Sequence, residues 1–331
     1  MERIEEIDAK ILKDLLKDGR KDLAEIAKEI GVSKNTIWKH YKEMMLEGII
    51  VGATTQVDFS KLGYYAIAEL YARNKGYKKE QIEEIIRKIP DTILVYLSRN
   101  IVILRLLREM AELESLKNII RQNFSFGDLK TSIWTGSVKT MPDNLSFGLP
   151  SKLTSEVGQT KTEQIAFETR KIEEIDEKDR AIINKLTENG RSSFRKIAEE
   201  IGVTTDTVAR RYRELKRNGI LNVAIQISPE KIGYNATLEC RVELISQNSI
   251  SSTIEALSKV PDVVGITGTS GDYDLHIWIL IRDFKHLFAM QEKIASIPYF
   301  GRMDLDINEV FLKVFPTPGQ QITVMKEVSK A

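Results

Sequence analysis

Residues 179–221 read DRAIINKLTENGRSSFRKIAEEIGVTTDTVARRYRELKRNGIL, and the same pattern occurs earlier, over 8–50. Gly190-Arg191 falls on Gly19-Arg20, Ile201-Gly202-Val203 on Ile30-Gly31-Val32, and Gly219-Ile220 on Gly48-Ile49, all at an offset of 171. Gly233-Tyr234 falls on Gly63-Tyr64 at 170, one residue out of step. A repeat this long duplicates whole domains; solenoid units run to roughly 20–50 residues.

Within the later stretch, Ile182, Ile183 and Leu186 form one apolar stripe. Phe194, Ile197, Ala198 and Ile201 form a second, and Val208, Tyr212 and Leu215 a third. The spacing is helical in each. The earlier stretch repeats it with Ile11, Leu12, Leu15, then Leu23, Ile26, Ala27, Ile30, then Ile37, Tyr41, Met44. Gly31 and Gly202 stand where a left-handed C-cap closes the second helix. Ser33 and Thr204 follow at the N-cap of the third. A helix, a tight glycine turn and a crossing helix make a helix-turn-helix.

The third helix carries the functional reading. Around its buried stripe the later copy offers Thr204, Thr205, Thr207, Arg210, Arg211 and Arg213. Arginine forks match guanine edges and phosphates, and small hydroxyl residues reach bases or backbone. The earlier copy offers Ser33, Lys34, Asn35, Thr36, Lys39 and Lys42, with Asn35 suited to an adenine edge. Lys39 and His40 replace the Arg210-Arg211 pair, so the earlier helix has the weaker forks. After each third helix, Gly-Ile begins a β-branched run that suits a wing hairpin. The expected partner is double-stranded DNA.

Composition neither announces nor forbids that partner. The chain has 331 residues, 49 basic and 48 acidic, for a net charge of +1. Basic charge must therefore act locally, on the third helices. The one cysteine, Cys240, has no disulfide partner and reads as a small buried residue. The histidines are His40, His276 and His286, with no metal-binding spacing, so neither metal nor cofactor is expected. Met-Glu-Arg-Ile-Glu-Glu carries no apolar leader, and no run is long enough for a membrane span, so the cytoplasm is the expected compartment.

Between the repeats, residues 65–72 read as a strand, 79–88 as a helix, 93–97 and 101–107 as strands, 110–122 as a helix and 129–138 as a strand. In the second half the order recurs as strand 236–244, helix 250–258, strands 263–267 and 274–281, helix 284–295 and strand 303–314. This is the ferredoxin-like β-α-β-β-α-β order. The fold class is α+β: two winged helix-turn-helix domains (1–57 and 173–228) alternating with two ferredoxin-like domains (58–141 and 229–318). A linker of turn-forming residues, 142–172, joins the halves, with a helical lead-in expected over 164–174. Sheets with helices on one face leave the other to be covered, so the two ferredoxin-like domains should pack together. Val242, Ile277, Ile279, Val310 and Leu312 are candidates for one face or the other.

The stretches 179–186 and 195–202, the run 208–215 with Gly219-Ile220, and above all Gly271-Asp-Tyr-Asp-Leu275 resemble the Lrp/AsnC, or feast/famine, transcription regulators. Such proteins carry one helix-turn-helix and one C-terminal domain of this type per chain, so the resemblance implies a covalently fused pseudo-dimer, and homo-oligomers built from it. It also implies an amino-acid-like effector bound near Gly268, Thr269, Gly271, Asp272, Tyr273 and Asp274. An ammonium would pair with Asp272 or Asp274. The first half has Leu97-Ser-Arg-Asn100 there, and 11 positions from Pro90 to Ile101 against 14 from Pro261 to Leu275. The resemblance therefore places the effector on the second half. Two other functions fit the architecture. Siroheme decarboxylases resemble it, including a fused form, and need His and Arg in a tetrapyrrole pocket. The C-terminal domains offer only His276, on a strand and read as a packed or surface residue, and His286, which opens a helix and is expected to be exposed. The third is an interaction partner of other family members that does not bind DNA.

Overall fold

The chain opens with α1 (Glu6–Lys17), α2 (Leu23–Ile30) and α3 (Lys34–Leu46), followed by strand β1 (Ile50–Val57). The structure is a computed structural model and describes residues 4–86, 89, 91–97, 100–123, 129–139, 145–147, 164–166, 173–246 and 249–309. In the second half the same order recurs as α6 (Glu177–Glu188), α7 (Phe194–Ile201), α8 (Thr205–Arg217) and β7 (Leu221–Ile227). Each first helix begins with a reciprocal cap, Glu5 with Asp8 and Asp176 with Asp179. Gly31 and Gly202 take positive φ, 82° and 70°, and end α2 and α7 as left-handed caps.

The two helical triads share one core. Ile11, Ile26 and Ile37 from the first lie in the same cluster as Ile182, Ile197 and Val208 from the second. What joins them corrects the expectation of a wing hairpin. β1 does not fold back on a strand of its own half; it pairs antiparallel with β7, Ala53 opposite Ile225 and Val57 opposite Leu221. Each short strand finds its ladder partner in the other half, and Val223, Ile225 and Ile227 are fully buried beneath it.

After β1 come β2 (Ala66–Arg73), α4 (Lys79–Ile86), β3 (Thr92–Leu97), β4 (Asn100–Leu107), α5 (Ala111–Asn123) and β5 (Lys130–Lys139). A short β6 (Gln164–Ala166) lies along Gly136–Val138 of β5, so this part of the expected helical lead-in is a strand; 167–172 fall outside the described residues. β5 offers it an open edge past the stretch that pairs with β2. The second half continues with β8 (Ala236–Leu244), α9 (Ile250–Ser258), β9 (Val263–Ser270), β10 (Leu275–Ile281), α10 (Phe284–Ala295) and β11 (Phe300–Glu309). β5 also pairs with β9, and the strands form one nine-stranded sheet: eight in the order β11-β8-β10-β9-β5-β2-β4-β3, with β6 joined to β5 off this path.

Val242, Ile277 and Ile279 lie on the helix-covered side, with Leu257, Leu287 and Met290. Val310 and Leu312 fall outside the described residues. The opposite side of β8 and β10 carries Glu239, Arg241, His276 and Trp278, which meet Glu69, Tyr71 and Trp134 of the first half. The expected apolar cover is thus largely a polar layer. Among the described residues, no helix is long and apolar enough to cross a membrane.

Candidate nucleic-acid interface

α3 and α8 each start on a hydroxyl cap. Ser33 accepts from the Thr36 amide at 3.1 Å and Thr204 from the Thr207 amide at 3.2 Å. The two hydroxyls of each pair, Ser33 with Thr36 and Thr204 with Thr207, are also bonded, at 2.8 Å. These four residues therefore shape the helix starts, with Thr36 and Thr207 half-buried. Lys34, Asn35, Lys39 and Lys42 are exposed along α3, and Thr205, Arg210 and Arg213 along α8. Arg210 makes only a loose pair with Glu214, 3.4 Å, and Arg213 turns its Nε to the Ala209 carbonyl. Lys39 stands 3.8 Å from Glu43.

Arg211 departs from the expectation. It bridges Asp176 and Asp179 at 2.9 Å each, tying α8 to the start of α6. The Asp179 hydrogen bond holds its pKa above the ordinary arginine value, against the cost of burial. Its guanidinium is committed inside the protein. His40 sits at the same place in the first half, 2.8 Å from Asp8. Glu5, Asp8 and His40 form the one group of potential metal ligands found among the described residues, and that His–Asp contact accounts for it.

The two recognition helices are fixed relative to each other by contacts the sequence did not suggest. The Gly19 amide donates to the Val223 carbonyl and the Gly190 amide to the Ala53 carbonyl, both at 2.7 Å. A Cβ on Gly19 would stand 2.7 Å from the Ala224 carbonyl carbon, and on Gly190 2.7 Å from Val223 Cγ1 and 2.8 Å from the Thr54 nitrogen. Arg20 donates to the Gly190 and Ser192 carbonyls, and Arg191 to the Gly19 carbonyl. Arg20 also lies 4.4 Å over the Phe194 ring and Arg191 5.3 Å over Tyr41. The repeated Gly-Arg of the sequence is the cross-brace between the two heads.

The expected effector loop is less of a loop than its glycines indicate. Gly268 and Thr269 belong to β9; Gly268 faces Leu275 on one side and Gly136 on the other, and Thr269 faces Trp134. Gly271, at φ 148°, passes so close to β5 that a Cβ would meet the Thr131 oxygen at 2.7 Å. Glycine is therefore required by the neighbouring strand. Asp274 accepts the Leu244 amide at 2.7 Å. Tyr273 is buried, donates to Asp304 and accepts from Lys130. Asp272 is exposed, and its carbonyl accepts from Arg302.

Beside this loop lies the buried layer between the halves. Glu69 accepts from Trp134 Nε1 at 2.9 Å, faces His276 Nδ1 at 3.2 Å and Arg241 at 3.4 Å. Arg241 also reaches Glu239 at 3.2 Å and Asp306 at 3.0 Å, with Tyr71 4.3 Å beneath it. Burial would raise the Glu69 pKa, but His276 and Arg241 overcome it and bring it down to about 2. Burial would lower that of His276, and Glu69 raises it on balance. The second His276 nitrogen is 3.5 Å from Glu239, an electrostatic contact without a hydrogen bond. His286, expected to be exposed, is mostly covered: its Nδ1 accepts from the Arg282 amide and its Nε2 is 3.5 Å from Asp262. Burial and Arg282 push its pKa down. Cys240 is buried, with its thiol pushed up to about 12.

Two helix-turn-helix units with exposed third helices, carried on an α+β sheet, define a DNA-binding regulator. The Winged helix-turn-helix DNA-binding model matches residues 4–51, the AsnC-type helix-turn-helix domain 175–216 and the Lrp/AsnC ligand binding domain 236–307. The HTH-type transcriptional regulator FL11 of Pyrococcus horikoshii is 31% identical over 126 residues, which are 38% of this chain and 82% of that protein. The chain belongs to the Lrp/AsnC family of transcription regulators. Regulatory protein AsnC of Escherichia coli is 29% identical over 125 residues, 37% of this chain and 82% of AsnC. Among solved structures, the siroheme decarboxylase NirDL covers 98% of this chain and 99% of its own, at 16% identity and a TM-score of 0.55; that likeness is one of fold.

Proposed function

We propose that the chain is a sequence-specific transcription regulator in which two family protomers are fused, so that one polypeptide presents two recognition helices as a pseudo-dimer in the cytoplasm. The observation that carries this reading is the cross-brace: Gly19, Gly190, Arg20, Arg191 and the β1–β7 ladder hold both heads on one core with α3 and α8 outward. Because the helices differ, the two half-sites need not be palindromic. The second half, where the ligand-binding model matches, is the place for an amino-acid-like effector, with Asp272 the exposed carboxylate of the loop. Assembly of several such chains is part of the proposal.

The test is a duplex selected from a random-sequence library, with affinity read by anisotropy over a range of salt. Arg210→Ala with Arg213→Ala should weaken binding and reduce the salt slope by about 0.9 for each phosphate no longer neutralised. Unchanged affinity and slope would remove α8 from the interface.

A second reading, chemistry on a tetrapyrrole, is favoured by one observation, the full-length fold likeness to a siroheme decarboxylase. Against it, His276 is enclosed between Glu69 and Glu239, and His286 is engaged with Arg282 and Asp262. A siroheme titration followed by absorbance decides: a shifted spectrum and loss of carboxylate carbon would establish it.

A further inference from the structure

α3 carries an exposed tryptophan where α8 carries alanine. Lys34, Trp38, Lys42 and Met45 follow one another at helical spacing and form one outward stripe; the corresponding stripe of α8 is Thr205, Ala209, Arg213 and Lys216. Trp38 is 54% exposed and Met45 42%. The indole is not loose. It stacks on Tyr41 at 6.0 Å with 26° between the planes, and Tyr41 is in turn braced by Arg191 at 5.3 Å. An aromatic plate, stacked on Tyr41, thus stands between two lysines at the centre of α3 and outside the core.

We propose that Trp38 reads thymine in the half-site of α3. This rests on the regulator reading above. Lys34 and Lys42, flanking Trp38 by one turn on either side, suit phosphates, which selects nucleic acid as the occupant of this face. With the lysines on the backbone, the ring is carried down to the base edges. The apolar group exposed there is the C5-methyl of thymine. Asn35, one turn back on the same side and exposed, suits the adenine of an A·T pair. α8 has Ala209 in place of the indole and Arg210 and Arg213 beside it, and so reads by forks. The operator should have one A·T-rich half and one half carrying guanine contacts.

The experiment starts from the duplex selected by the intact protein. Each thymine is replaced singly by deoxyuridine, which removes the methyl and leaves the pairing. The expected result is one or two positions, all in one half-site, where binding weakens by about fourfold per methyl. With Trp38→Ala those positions should become insensitive; with Trp38→Phe sensitivity should persist in part. Because the ring is outside the core, circular dichroism of both variants should match the parent. Deoxyuridine without effect, or an effect that survives Trp38→Ala, would overturn the proposal while leaving DNA binding intact. Unaltered DNA binding by Trp38→Ala with loss of self-association or of a protein partner would assign the stripe to protein contact and also overturn it. Failure to select any duplex would overturn the regulator reading and this one together.

Discussion

Arg211 reaches Asp176 and Asp179 at the start of α6, whereas His40, at the corresponding place in the first half, is bonded to Asp8. The same divergence runs through the sheet. Glu69 and Glu239 occupy corresponding positions on β2 and β8. Two residues on, Tyr71 is paired across the ladder with Val102, and Arg241 with His276. Among the described residues, Arg241 and His276 of the second half pair with both carboxylates. The apolar stripes of the two helical triads match in position, but these charged positions do not. These counter-charges of Glu69 thus come from the other half, so this layer pairs unlike halves.

Breaking that layer should give the largest effect. Arg241→Met removes the guanidinium that pairs with both buried carboxylates, and removing one partner of a buried ion pair costs about 3–5 kcal/mol. Thermal unfolding should show a lowered Tm. The matching change on the first half, Tyr71→Phe, loses one hydrogen bond to Asp306 and should cost about 1 kcal/mol. Equal effects would show that the layer is not asymmetric.

The same layer gives a pH dependence. The folded-state pKa of His276 lies above the ordinary 6.5, so its stabilisation is complete below about pH 6.5 and is lost as pH rises through the raised value. That of Glu69 is depressed from 4.5 to about 2, so its stabilisation is present above about pH 4.5 and is lost as pH falls towards 2. Denaturant midpoints should be highest between these limits, and His276→Asn should remove the alkaline limb and also shrink the acid one, because His276 is the main charge holding Glu69 down.

The brace between the heads is next in size. Gly190→Ala drives a Cβ into Val223 and the Thr54 backbone, and Gly19→Ala one into the Ala224 backbone. Such overpacking costs about 1–3 kcal/mol. Both variants should also weaken binding to a two-half-site duplex more than to either half-site alone. Equal loss on all three would mean that the heads act independently.

The helical triads were legible because their signals are local: apolar spacing, a glycine at positive φ, a hydroxyl cap. The partners of β1 and β7 were not, because a single β-branched run does not say which strand will complete it. Gly19-Arg20 was visible as a repeat, yet its meaning depends on a partner segment 171 residues away. The glycines of the expected effector loop also answer to a structural need that the sequence did not show. Gly271 passes close to β5, and sequence alone cannot distinguish a strand from a ligand as the thing approached. The layer around Glu69 was missed outright, since alternation on β8 showed where apolar residues go but not that Glu239 and Arg241 would be buried against side chains of the first half.

The smallest effect sharpens the comparison between Arg211 and His40. Sequence position puts both on a recognition helix, and by type Arg211 is a DNA-contacting fork. The geometry turns it inward, where Asp176 and Asp179 hold both its outer nitrogens. Arg211→His makes the second half like the first. It should lower stability by about 1 kcal/mol, the upper end for pairs of this exposure, and leave operator affinity within about twofold. His40→Arg makes the first half like the second and should raise stability slightly, through added reach to Glu5 and Asp8. Arg210→Ala is the control. Its side chain is exposed and loosely paired, so its loss should weaken operator binding while leaving Tm unchanged. If Arg211→His weakens operator binding as much as Arg210→Ala does, the guanidinium leaves its aspartates for DNA, and α8 is released from α6 when the complex forms.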